Sequence, residues 1–352
     1  MTRLILMKVS LFITVVFVLF SSFAHATPKP ELPRLHQAVI SGDISLVKRL
    51  LSAGADVNQL DSRMGNSPLH IAAQTDHTQI LALLIREGAF INLQAPRSGF
   101  TPLMIATWYS KPDNIIELFK HPELNIELTT PTGAKAEQLI GGWDKQIIAS
   151  EARRYDELAA LFAHKRAQQQ AMLAQQKILN VVESSALSEA QKVTQITALL
   201  AAGQNVNQRR PVYSNRNDLH TPLLVAAREG YGSVVELLLA HNADQTIPGY
   251  PMNAIALHKA GYMGHADIVR LLIDDKRGSL VLNAQGPNNG YTPLHDAIWH
   301  GHTKAAKVFI QGGAQLQLKT YENDTPLDLA ERYHYVHIIE TILKQQQIAQ
   351  FD

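Results

Sequence analysis

The sequence predicts an all-α array of about eight or nine helix-turn-helix repeats, and three observations carry that reading. A short phrase recurs: "SPLH" at Ser67–His70, "TPLM" at Thr101–Met104, "TPLL" at Thr221–Leu224, "TPLH" at Thr292–His295 and "TPLD" at Thr325–Asp328. Within each run its leucines stand 33, 34 or 37 residues apart, once a disguised copy at Leu257 is included. Each phrase leads into a second apolar stretch that ends in small residues, as in "ALLIREGAFINL" (Ala82–Leu93) and "VFIQGGAQLQL" (Val308–Leu318).

The stretch "TPLLVAAREGYGSVVELLLAHNAD" (Thr221–Asp244) shows why the phrase has its composition. Thr221 is suited to cap a helix by accepting an unpaired N–H of the first turn. Pro222 follows at the one position where a missing N–H costs nothing. Leu223, Ala226 and Ala227 form one apolar face, and Gly230 supplies the left-handed residue that ends the helix. Val234, Val235 and Leu237–Leu239 make a second helix, which Asn242 ends in the same way. Each helix is shorter than the ~12–15 residues at which isolated helices become marginal, so stacked neighbours must bury their faces.

This pattern resembles the ankyrin repeat, in its period near 33 residues and in T-P-L-H followed by Ala, Gly and a Leu-Leu pair. The resemblance covers about Leu32–Lys344. It opens at "RLHQAVISGDISLVKRLLSAGADVNQ" (Arg34–Gln59), which lacks the Thr-Pro start as capping repeats do. It closes at "DTPLDLAERYHYVHIIETILKQQQ" (Asp324–Gln347), with residues 345–352 as a tail. Two further copies are degenerate: Ile255 stands in the Thr slot of "IALHKAGYMGH", and Lys135 in that of the copy beginning at Gly133.

Residues 150–182 contain no Gly or Pro and run on in helix-favouring residues, so an extended helix is expected near His164–Leu179. One reading divides the array there into two blocks, 32–165 and 166–344. The other keeps one continuous solenoid with a single irregular repeat.

The amino terminus reads as a targeting segment. Arg3 and Lys8 precede an apolar stretch, Val9–Phe20, and Ala24-His25-Ala26 forms a small-residue cleavage site. The expectation is a signal peptide over 1–26, hence an exported protein with no membrane span once it is removed; the alternative is an uncleaved anchor. Absence of cysteine excludes disulfides, thiolate metal sites and cysteine nucleophiles. A disulfide-free exported chain suits a bacterial periplasm, with secretion as the other destination. The net charge of +1 gives no indication of nucleic acid.

No nucleophile elbow, phosphate loop or zinc-protease motif occurs, and no cofactor is predicted. His295, His300 and His302 lie close together, but the first and last fill slots where the ankyrin pattern commonly carries His, so no metal site is predicted. His334 and His337 read as surface residues. Asn323 begins an N-x-T acceptor whose Thr325 is already needed as a cap. Arg209, Arg210, Tyr213 and Arg216 make a basic loop that reads as solvated more readily than as a grip on an acidic partner. Glu137, Trp143, Asp144, Glu151 and Asp156 are the acids and tryptophan available for a catalytic site in residues 133–182, with no spacing that fixes one.

What remains is binding. The resemblance implies a concave groove lined by positions that stacking leaves free: the one after the His slot and the two before the terminating Gly. These are Ile71, Gln74 and Thr75; Ile105, Trp108 and Tyr109; Val225, Arg228 and Glu229; Lys259, Tyr262 and Met263; and Asp296, Trp299 and His300. Trp108, Tyr109, Arg228, Glu229, Lys259, Tyr262, Asp296, Trp299 and His300 are the expected protein-binding residues, since aromatic and Arg side chains dominate interface energies. The expected function is a non-enzymatic, exported protein that binds another protein through this face. The alternative is a secreted effector or toxin-neutralising protein.

Overall fold

Helix pairs follow one another along the chain in the computed structural model, which describes residues 31–142, 149–213 and 218–348. In order they are α1 (Arg34–Ser41) and α2 (Ile44–Ser52), α3 (Pro68–Gln74) and α4 (Thr78–Arg86), and α5 (Pro102–Trp108) and α6 (Pro112–Phe119). A 3-10 turn (Ala136–Leu139) then precedes α7 (Ala149–Ala174). The pairs resume with α8 (Lys177–Glu183) and α9 (Glu189–Ala201), α10 (Pro222–Glu229) and α11 (Gly232–Ala240), and α12 (Ala256–Met263) and α13 (Ala266–Asp274). After the single turn α14 (Gly278–Val281) come α15 (Pro293–Trp299) with α16 (Thr303–Gln311), and α17 (Pro326–Arg332) with α18 (Val336–Ile348). Among the described residues β pairing is limited to isolated bridge residues, at Thr129 and Lys135 and between Gly249 and Ala254. The all-α repeat architecture expected from the sequence is therefore the observed one.

The chain divides into two compact units, residues up to 117 with 129–134, and residues 118–128 with those from 135 onward. In the first, α1, α3 and α5 pack in a row and α2 packs on α4. In the second, α8, α10, α12, α15 and α17 form the inner row, and α9, α11, α13, α16 and α18 the other. The alanine pairs allow this close approach: Ala72 and Ala73, and likewise Ala226 and Ala227, are fully buried. At Gly261 even a methyl group is too large, since a Cβ there would lie 2.6 Å from the carbonyl oxygen of Pro293.

The recurring phrase works as its chemistry demands. Ser67, Thr101, Thr221, Thr292 and Thr325 each accept from the backbone N–H three residues on, with Pro at the first helical position. Ile255 holds the same extended backbone without a side-chain cap. Where the pattern's helix-ending glycine is present, it is left-handed, as at Gly230 (φ 85°). Where it is absent, Ser110 (φ 51°) and His334 (φ 58°) take that conformation.

Of the described helices that open a repeat, α3 and α8 lack even that ending, and a buried side chain from the paired helix row completes each. Asn114 Nδ2 donates to the carbonyls of Ala72, Ala73 and Thr75 at 3.2, 3.1 and 2.8 Å, closing α3. Lys192 closes α8 by donating to Val181, Val182 and Ser184, with its ammonium 4.8 Å from the Tyr231 ring centroid. Burial holds that lysine's pKa below its ordinary value.

The loops are tied by a second recurring device. Asn58, Asn207 and Asn283 accept through Oδ1 from the amides of Phe90, Asp244 and Gln315 in the next repeat, each at 2.8 Å. This explains the asparagine of "DVNQ" and "NVNQ", which carries no cap or core role.

The Gly- and Pro-free stretch is helical but is interrupted earlier than expected. α7 ends at Ala174, and a new helix starts at Lys177. Repeat register decides the break: Gln176, buried in the slot before α8, donates to Arg209 O at 2.9 Å, while Ile178 and Leu179 enter the core. α7 is held by Leu158 and Phe162, the latter edge-on to Phe119 at 5.2 Å. Lys165 donates to Phe119 O.

Candidate functional site

Of the expected binding residues, Lys259, Tyr262, Asp296, Trp299 and His300 come together in the second unit. α12 places Lys259 and Tyr262, and α15 with its C-terminal residue places Asp296, Trp299 and His300. Their helical spacing of three puts each charged residue one turn before its aromatic neighbour. Tyr262 meets Trp299 at 6.2 Å between ring centroids and His300 at 4.0 Å, and Trp299 meets His300 at 4.7 Å. Tyr262 and Trp299 nevertheless keep 39% and 41% of their surface exposed, so the cluster is a formed surface and not core.

Three residues outside the expected set complete it. Tyr291, immediately before the capping Thr292, packs edge-on to Trp299 at 5.9 Å. Met252 and Asn289, from the two loops, line the same cleft of about 80 Å³. The available signal was positional. The residue before the capping Ser or Thr follows a loop, and it is aromatic at Phe100 and Tyr291.

Trp108 has the same relation to Phe100, edge-on at 5.7 Å, in the first unit. Both tryptophans thus stand eight residues after an aromatic that supports one of their faces. Trp108 is half-buried and Tyr109 is exposed beside it. Arg228 and Glu229 are neighbours at the end of α10 and bond each other, Arg228 Nε donating to Glu229 Oε1 at 2.9 Å.

Three groove positions named from the pattern do not face a partner. Ile71, Ile105 and Val225 are buried. The slot after the His position is the floor of the groove, where an aliphatic side chain is covered by the stack while Lys259 and Asp296 remain half-buried. The basic loop is also engaged internally: Arg209 donates to Leu219 O and Pro248 O, and Arg210 pairs with Glu183 at 2.5 Å. Arg216, Trp143 and Asp144 lie outside the described residues, as does the segment 1–26. Glu137 pairs with Arg166, and Glu151 accepts from Tyr155 Oη.

Electrostatics set the cleft apart. Burial pushes the Asp296 carboxyl up to about 7, only partly offset by the charge of Lys259. Burial likewise lowers the Lys259 ammonium. His300 is lowered by burial and by His302. His302 is committed to the fold, its Nε2 donating to Tyr262 O at 2.9 Å, which anchors the end of α12 beneath the cluster. His295 is buried, its Nδ1 accepting from Thr292 N–H at 3.2 Å.

A row of buried imidazoles runs along the stack. His36, His70 and His258 donate through Nε2 to Asn66 O, Phe100 O and Tyr291 O, at 2.9, 3.0 and 3.1 Å, tying each repeat to the next. Burial lowers the pKa of His70, His258 and His295 to about 4 and of His220 to about 3, and lowers His36 as well. These groups are neutral, and His258 also lines the cleft beside Lys259.

Comparison with known proteins agrees with the repeat fold. The family described as ankyrin repeats (3 copies) matches residues 35–130, 186–283, 248–320 and 279–352. A tyrosine-protein kinase, HTK16, of Hydra vulgaris is 29% identical over 34% of the chain and 16% of its own length. The E3 ubiquitin-protein ligase KEG of Arabidopsis thaliana is 22% identical over 84% of the chain and 18% of its own length. The ankyrin repeat domain-containing protein SAT10 of Stachybotrys chartarum is 22% identical over 89% of the chain and 17% of its own length. The chain thus spans less than a fifth of each of these three relatives, and the likeness lies in the repeats.

Proposed function

Because the chain belongs to the ankyrin-repeat family, whose repeats generally mediate protein–protein interaction, we propose that it is a non-enzymatic binding protein that engages a partner protein through its inner helix row and loops. The observation that carries this is the exposed cluster of Tyr262, Trp299 and His300 around Lys259 and Asp296, at positions that stacking does not require. Rigid aromatic side chains held on short, packed helices lose little conformational freedom on binding, which favours them as anchors. Trp108 and Tyr109 supply an equivalent patch on the first unit.

Export belongs to the same proposal and is supported by the three-part segment Met1–Ala26. A periplasmic destination is proposed from the absence of cysteine, and the eukaryotic relatives lend it no weight. No described helix is long and apolar enough to cross a membrane.

The test is Trp299→Ala and Trp108→Ala, each measured for partner affinity and for helical content. An interface anchor of about 2 kcal/mol gives a roughly thirtyfold loss of affinity. Unchanged affinity in both variants, with helicity retained, removes the assignment.

A further inference from the structure

Lys259 and Asp296 occupy equivalent slots one repeat apart and line the same cleft of about 80 Å³. Neither closes on the other: among the described residues they form no ion pair, and the Lys259 ammonium rests 6.0 Å from the Tyr262 ring centroid. One strong donor and one strong acceptor therefore stand in a small, partly desolvated space whose walls are aromatic. Burial is the largest cause of the raised Asp296 and of the lowered Lys259, to which the charge of Arg228 adds, and the mutual attraction of the two groups offsets it only in part.

The volume equals the share of about two to three water molecules in the liquid, room for one small planar group. A guest with a single positive charge gains from Asp296 and is repelled by Lys259; a carboxylate meets the reverse. A carboxamide is neutral, presents a carbonyl acceptor and N–H donors side by side, and has flat faces that stack on aromatic rings. It satisfies both groups at once through separate atoms, whereas a hydroxyl must serve both from a single oxygen.

Resting on the reading of the groove as a protein-binding face, we infer that this cleft receives the side-chain carboxamide of a glutamine or asparagine of the partner protein. Lys259 Nζ donates to the carbonyl oxygen of that group and the Asp296 carboxylate accepts from its N–H, between the rings of Tyr262, Tyr291 and Trp299.

The experiment uses the full chain and three blocked tripeptides, acetyl-Gly-X-Gly-amide with X as Gln, Lys or Glu, followed by the indole N–H resonance of Trp299. The Gln peptide is expected to shift that resonance with at least threefold higher affinity than the other two. Lys259→Met should make the Lys peptide the best ligand, and Asp296→Leu the Glu peptide. Absence of a shift with the Gln peptide, or equal or tighter binding of Lys or Glu to the unsubstituted chain, overturns the assignment. An unchanged ranking in helical, folded variants overturns it too, and the ranking on the unsubstituted chain is decisive even if a variant fails to fold. Trp108, in the other unit, separates the two readings: partner affinity lost in Trp108→Ala, without any preference for the Gln peptide, keeps the binding face and removes the carboxamide site.

Discussion

Mild acid should loosen the second unit through its buried histidines. His220, His258 and His295 lie in three consecutive repeats, and burial holds them at about 3, 4 and 4, against about 6.5 in an unfolded chain. A lowered pKa means that the folded state binds fewer protons. Stability is therefore full above pH 6.5 and falls as the pH drops from there towards 4. Each such histidine contributes a slope of about 1.4 kcal/mol per pH unit. Asp296 acts with the opposite sign, because its folded value of about 7 lies above the unfolded one, so acid relieves its penalty over the same window. The net slope is about 2.7 kcal/mol per pH unit, or roughly 4 kcal/mol between pH 6.5 and 5, a large part of the 5–15 kcal/mol typical of a folded protein. Native-state hydrogen exchange of the α10–α17 amides, stepped through that range, measures it directly. His258→Gln should reduce the slope by about 1.4 kcal/mol per unit, and Asp296→Asn should increase it by about the same amount. Exchange free energies that stay level from pH 7 to 5, or imidazoles titrating near 6.5 in the folded chain, would refute the reasoning.

Other substitutions test the packing. Ser110→Gly and His334→Gly relieve left-handed strain and should each raise stability by about 0.5–1 kcal/mol in urea denaturation. Gly261→Ala forces α12 away from α15 and should cost about 1–3 kcal/mol in the same assay, broadening the Trp299 indole resonance. Asn114→Ala takes the donor from Ala73 O and Thr75 O, while Ala72 O still accepts from Thr75, so a loss of about 2 kcal/mol is expected, read as faster exchange of the α3 amides.

The fold was legible because its signals are local. Thr or Ser followed by Pro at a helix start, paired alanines and a terminating glycine each act within one turn, and their period announces the stack. The ties that cross repeats were not: nothing local distinguishes Asn58 as an acceptor for Phe90, or Asn114 as the closure of a helix 40 residues earlier. Subtraction singled out Lys259, Tyr262, Asp296, Trp299 and His300, which the fold brings together. It failed at Ile71, Ile105 and Val225, because a slot that stacking leaves unspecified can still be covered when its side chain is aliphatic. It also passed over Tyr291, whose place before the cap puts it in the groove through the path of the loop and not through helical spacing.

Oxidative footprinting of the chain with and without its bound partner measures the binding face directly. Trp299, Tyr262 and Met252 should be protected in the complex, while Tyr333 and Leu343, exposed at the end of the array, should react as before. Protection confined to the outer helices α11, α13 and α16, with Trp299 and Tyr262 still reactive, would place the partner on the opposite side and contradict the account.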